Sequence, residues 1–143
     1  MAQFNGTWED RELDASFEPF MDAIGLGEYK DKYKGATSTV TYEINGNKWK
    51  VTWLSSMYPD TPMTYNIEVG KPFDSKGPDG SDVKSTVNVI SDCETKEHEI
   101  TNMEDGKNRE FIICRKVNGD VMEYNIEAVT SKATMKGKMY RKK

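Results

Sequence analysis

Phe4-Asn5-Gly6-Thr7-Trp8, followed by Phe17-Glu18-Pro19-Phe20-Met21-Asp22-Ala23-Ile24-Gly25, decides how the rest of this 143-residue chain is read. The first segment reads as a short, aromatic-bearing strand. The second places Phe17, Phe20, Met21 and Ile24 at helical spacing, so they form one apolar stripe. Ser16 stands where an N-cap belongs, and Pro19 falls in the first turn, where its missing N–H costs little. Gly25 and Gly27 end the run. A second short helix is expected from Glu28 to about Lys34.

From Thr37 onward the hydrophobic period changes to two. Val40, Tyr42 and Ile44 alternate with polar residues, as do Trp49, Val51 and Trp53 in the next run. Val83, Ser85, Val87 and Val89 share a face further on. Phe111, Ile113, Arg115 and Val117 share another, and Met122, Tyr124, Ile126 and Ala128 a third. Asn45-Gly46, Asp105-Gly106 and Asn118-Gly119 punctuate these runs as hairpin turns, read as type I′, which needs positive φ at both central residues. Pro78-Asp79-Gly80 marks a further turn. Locally paired strands imply an antiparallel meander of about ten, and closure into a barrel removes its exposed edges. Eight strands already enclose room for a small ligand, so ten leave space for a cavity. The expectation is a mostly β, ten-stranded antiparallel up-and-down barrel, capped by a two-helix lid between its first and second strands.

The length fits one domain, residues 1–143. With 36% hydrophobic and 31% charged residues the chain can build a core and remain soluble. No apolar run approaches the roughly 18 residues of a membrane-spanning helix. Met1-Ala2-Gln3 lacks the basic and apolar regions of a signal peptide, so the expected location is cytoplasmic. The net charge of −4 argues against nucleic acid as a partner. Cys93 and Cys114 lack metal-binding spacing, and His98 is the lone histidine. No metal or other cofactor is therefore expected, and in a reducing compartment the two cysteines read as free thiols.

Phe4-x-Gly6-x-Trp8, continued by Phe17-x-x-Phe20-Met21-x-x-x-Gly25, resembles the intracellular lipid-binding proteins, the fatty-acid-binding and cellular retinoid-binding family. The resemblance runs from Phe4 to the C-terminus. It implies a monomeric carrier that encloses one hydrophobic ligand, foremost a long-chain fatty acid or similar carboxylate. A retinoid, bile acid or tetrapyrrole pigment is the alternative cargo, and a filled barrel serving protein interaction is the alternative class.

Arg115 is the sharpest residue. Alternation puts it on the face of Phe111, Ile113 and Val117. A guanidinium inside an apolar container needs a partner, either an internal carboxylate or the carboxylate of a ligand. The resemblance implies the second, because the family carries an inward arginine on this strand. Many relatives end in Arg-x-Tyr, whose side chains complete the head-group site. Here that text is Lys138-Met139-Tyr140, and lysine keeps the charge but loses the bidentate fork. Lys138 and Tyr140 are expected to face the cavity with Arg115, the opposite parity placing Met135, Gly137 and Met139 inward instead. The same matching assigns Phe17, Phe20 and Met21 to the cavity side of the first helix. It assigns Tyr58 or Met57 to an aromatic gate, and Pro78 and Asp79 to a turn at the portal. A further arginine that relatives often carry beyond that turn is Ser81 here. Lys30, Lys32 and Lys34 match lysines that support transient membrane contact in some relatives, but interleaved Glu28 and Asp31 favour an ordinary solvated face.

Catalytic signatures are missing from this text. There is no glycine-rich phosphate loop, nucleophile elbow or spaced carboxylate pair, and an enzyme is not expected.

Overall fold

In the computed structural model, which describes residues 2–103 and 105–143, ten strands form one antiparallel sheet. They are β1 (Gly6–Glu9), β2 (Ser38–Asn45), β3 (Lys48–Ser55), β4 (Met63–Glu68), β5 (Phe73–Lys76), β6 (Asp82–Ser91), β7 (Glu94–Asn102), β8 (Asn108–Asn118), β9 (Val121–Ala128) and β10 (Thr134–Arg141). Their order, β4-β3-β2-β1-β10-β9-β8-β7-β6-β5, is a meander closed where β1 meets β10. The barrel is nearly complete. β4 and β5 are its two ends, and Tyr65 on β4 donates its hydroxyl hydrogen to the Lys76 carbonyl on β5 (3.3 Å). Helices α1 (Phe17–Ala23), marked by the apolar stripe, and α2 (Lys30–Lys34), within the run expected from Glu28 to about Lys34, lie between β1 and β2. Neither is long and apolar enough to cross a membrane.

Two local expectations are corrected. Ser16 precedes α1 but makes no side-chain cap. Its hydroxyl instead accepts from the Lys136 backbone N–H (3.0 Å) and lies 3.3 Å from the Lys136 carbonyl, which ties the lid to β10. The hairpins sit where Asn-Gly predicts, but one residue further along. Asn45 pairs with Lys48 and Asn118 with Val121, so the two-residue loops are Gly46-Asn47 and Gly119-Asp120. Only the glycines take positive φ, at 60° and 62°. That is type II′, which needs glycine at its first central position alone.

Side chains directly opposite one another across strands share a face, and the register stacks the inward residues in successive rungs. Val117, Met122 and Met139 form one rung, and Thr95, Arg115, Tyr124 and Gly137 the next. Glu97, Ile113, Ile126 and Met135 follow, then Glu99, Phe111 and Ala128. The first rung belongs to a core at one end of the barrel, with Phe4, Trp8, Val40, Tyr42, Trp49 and Ile67. Phe4, Tyr42 and Trp49 meet there at ring separations of 5.7–6.1 Å. At the other end Phe20 packs against Phe111, Ile113 and Ala128, while Phe17, Met21 and Leu26 form the underside of the lid. Between the two apolar ends lies a polar middle.

Candidate functional site

Arg115 occupies that middle and faces inward, as alternation requires. Its Nε donates to Glu97 Oε1 at 3.2 Å, and its guanidinium carbon lies 5.9 Å from the centre of the Tyr124 ring. Of the two readings open at Arg115, the internal carboxylate is the one seen. Although both side chains point into the barrel, 21% of Arg115 and 18% of Glu97 stays accessible. An inward group that keeps surface has space in front of it.

Electrostatics in this middle are unusual. Burial opposes the charge on Arg115, but Glu97, Tyr42 and Glu99 together hold its pKa above the ordinary arginine value. Burial pushes the Tyr42 hydroxyl up to about 12, with Arg115 pulling down and Glu97 pushing up. Burial likewise raises Tyr65 and Tyr124, so all three phenols keep their protons. Glu99 is pushed from 4.5 up to about 7, first by burial and then by Glu97, with Arg115 opposing.

A pH dependence follows. Between about 4.5 and about 7, folded Glu99 holds a proton that the unfolded chain has released, so its contribution to stability is full below that window and lost as pH rises through it. Stability is expected to fall by on the order of 2 kcal/mol from about pH 5 to about pH 8 on this account, and Glu99→Gln should flatten that slope. Urea denaturation at the two pH values checks it, and an unchanged slope in the variant would remove Glu99 as its source.

Lys138 and Tyr140 are corrected. Register pairs Lys138 with Glu123, which pairs with Lys116, a charged row on the outer face. Met139 between them is buried against Met122. Lys138 is exposed, and the Tyr140 ring lies outside under the Arg11 guanidinium, 4.4 Å from its centre. The opposite parity is therefore the one adopted, with Met135, Gly137 and Met139 inward. Gly137 carries no side chain because the Tyr124 ring lies across it, and a Cβ there would collide with that ring. No second cation joins Arg115 from β10.

Phe17, Phe20 and Met21 are buried in contacts between helix and barrel. Tyr58 is half-buried in the loop after β3. Pro78 and Asp79 form the β5–β6 turn. Partial burial raises the Asp79 carboxyl, but hydrogen bonds from the Ser81 hydroxyl (2.7 Å) and backbone N–H (3.0 Å) outweigh it and hold the pKa low. Lys32 of α2 adds to that lowering, which brings the lid electrostatically to this turn. Lys34 pairs with Glu18 (2.8 Å) and Lys30 with Asp22 (3.2 Å), so two of the three lid lysines bind α2 to α1.

The sequence reading passed over four residues. Glu97 and Glu99 share the inward face of β7 with Thr95 and Thr101 at period two, but no apolar residue marks that face in the sequence. Arg109 donates twice to the Ile24 carbonyl at the end of α1 (2.9 and 3.1 Å) and twice to Asp105 (2.7 Å each), pinning the lid to the β7–β8 hairpin. Its signal is the spacing of four from Asp105 beside a turn. Arg141 donates to the carbonyls of Gln3 (2.9 Å) and Asn5 (2.5 Å) and stacks 4.3 Å from the centre of Trp8.

A depression of about 890 Å³ is lined by residues of β2, β3 and β4, among them Tyr42, Glu43, Trp49, Lys50, Asn66 and Ile67. Arg115 does not line it. Among the described residues no group of three His, Cys, Asp or Glu side chains is placed to hold a metal ion.

No family model matches the chain. It is similar to "Fatty acid-binding protein homolog 5" of Caenorhabditis elegans, 34% identical over 88 residues, which spans 61% of this chain and 62% of that protein. It is 30% identical over 129 residues to the "14 kDa fatty acid-binding protein" of Schistosoma mansoni, covering 88% of this chain and 89% of the relative. Among solved structures, the S. mansoni fatty acid binding protein in complex with arachidonic acid superposes with a TM-score of 0.77 at 24% identity, over 100% of this chain and 98% of that one.

Proposed function

The chain belongs to the intracellular lipid-binding protein family, that of the fatty-acid-binding proteins, and on that premise we propose that it is a non-catalytic carrier of one long-chain lipid with a polar head, held inside the barrel. The observation that carries this reading is the polar middle. Arg115 and Glu97 face inward between two apolar ends and still keep accessible surface. A ligand tail lies against inward apolar side chains such as Ile113, Ile126 and Met135, and its head reaches Arg115.

The magnitudes suit a carrier. Each buried methylene contributes about 0.8 kcal/mol, so a chain of roughly fifteen gives about 12 kcal/mol gross. Ordering the chain and desolvating its head take back several kcal/mol. The result lies in the micromolar to nanomolar range, about −8 to −12 kcal/mol. Ser16 and Arg109 fasten α1 to the barrel, so entry goes past α2 and the turns bearing Tyr58, Pro78 and Asp79. The protein acts as a monomer in the cytoplasm, a setting that agrees with two unpaired thiols, Cys93 and Cys114.

Purified protein is expected to release a long-chain acyl molecule on organic extraction, identified by mass spectrometry. Delipidated protein should bind a neutral fluorescent dye such as Nile red and give it up to long-chain ligands. Absence of both bound lipid and dye uptake would overturn the carrier reading.

A further inference from the structure

The polar middle of the barrel holds more negative charge than positive. Arg115 is the one guanidinium there among the described residues, and Glu97 already accepts its Nε–H at 3.2 Å. Glu99 lies two residues further along the same inward face of β7, close enough to act electrostatically on both Glu97 and Arg115. The other inward arginines sit at the ends and are committed, Arg109 to Asp105 and the Ile24 carbonyl, Arg141 to Asp120 and backbone carbonyls. Lys138 is outside. A ligand carboxylate arriving at Arg115 would be a third anion around one cation, and the loss of its hydration would go uncompensated.

An uncharged polar head meets the opposite situation. The terminal nitrogens of Arg115 point donors at a carbonyl or hydroxyl oxygen, and the Glu97 and Glu99 carboxylates accept from an O–H or N–H. The Thr95 hydroxyl, on the rung of Arg115, is buried with no hydrogen-bond partner among the described residues. We infer that the head-group site of this barrel takes a long-chain molecule with an uncharged hydrogen-bonding head, an alcohol or a primary amide, in preference to a fatty carboxylate. The inference rests on the carrier reading and specifies its cargo.

The charged groups that act on Glu99 are Glu97 on β7 and Arg115 on β8, and the neutral Tyr65 hydroxyl on β4 stands near enough to feel it. As pH falls through about 7 Glu99 takes up a proton, so the bias against a carboxylate should relax toward low pH.

The test is competition for Nile red bound to the delipidated full chain, with oleyl alcohol, oleamide and oleate as matched competitors. At about pH 8 the alcohol and the amide are expected to bind at least about tenfold more tightly than oleate. Glu97→Gln, which removes the carboxylate charge paired with Arg115, should strengthen oleate binding at least about tenfold and so narrow or reverse the preference for the alcohol. Oleate binding wild type as tightly as the alcohol at about pH 8 would overturn the inference while leaving the carrier intact. Failure of all three competitors and of the dye to bind would overturn the carrier reading and the inference with it. If Glu97→Gln does not fold, the wild-type comparison alone decides.

Discussion

Replacing Arg115 by leucine is expected to cost about 3 kcal/mol of folding stability at about pH 8, whatever the ligand. The guanidinium is the counter-charge for Glu97 and acts on Glu99 as well. Removing one member of a buried ion pair strands the other, which typically costs 3–5 kcal/mol, about the lower figure here because both side chains keep some accessible surface. Two outcomes separate this from loss of packing. Acidification to about pH 5 should recover much of the loss by letting the stranded carboxyls protonate. Adding Glu97→Gln to Arg115→Leu should recover it at neutral pH, giving a coupling energy of about 2 kcal/mol in the double-mutant cycle. Independent effects of the two changes would mean that the 3.2 Å contact holds nothing together. A ligand assay on Arg115→Leu alone would mix this instability with lost recognition, so stability has to be measured first.

Trp8→Ala should be more damaging still, by about 4 kcal/mol, with a fall in Tm of roughly 12 °C. Trp8 is fully buried, and its indole N–H donates to the Phe4 carbonyl at 2.9 Å. Its register partners are Val40 on one side and Arg141 on the other, so it stands where the barrel closes. That seam has only two residue pairs, Trp8 with Arg141 and Glu9 with Tyr140, against seven between β10 and β9. Truncation opens a cavity in the end core and removes the surface on which Arg141 stacks. Trp8→Phe keeps most of the packing and loses the hydrogen bond, and should cost about 1–2 kcal/mol. Thermal and urea unfolding measure both. A loss below about 2 kcal/mol for the alanine variant would place the closure of the barrel elsewhere.

Much of this fold was legible because two signals are strong. The stripe Phe17, Phe20, Met21 and Ile24 marks α1, and alternation puts Phe111, Ile113, Arg115 and Val117 on one inward face. The candidate site was legible only as far as that alternation could be carried. Lys138 and Tyr140 failed because their parity depends on the five residues between β9 and β10, where Lys132 adopts a left-handed backbone (φ 60°) with no glycine to announce it. One residue of phase decides between a charged cavity wall and a charged outer surface. The hairpin type failed similarly, since Asn-Gly names a turn without fixing which two residues form its loop. Glu97 and Glu99 were hidden by composition, because a carboxylate on a barrel's inner face violates the pattern by which inner faces are found. The departure from pattern lies where the chemistry is.

The Arg141 clasp on the carbonyls of Gln3 and Asn5 has a consequence for how the protein is made. Those contacts join positions 136 and 138 apart in the chain, and closing a loop that long costs about 4 kcal/mol in chain entropy. During synthesis β1 emerges first and waits, bound only to β2, until residues 134–141 have left the ribosome. Until then the strands already made stand as two sheets, β1–β4 and β5–β9, with the facing edges of β1 and β9 unpaired, a period in which a nascent chain is exposed to mispairing and to chaperones. Of the ten strands β10 is the last to be made and the one that joins the two sheets, so a ribosome stalled before residue 134 leaves a vessel with an open seam.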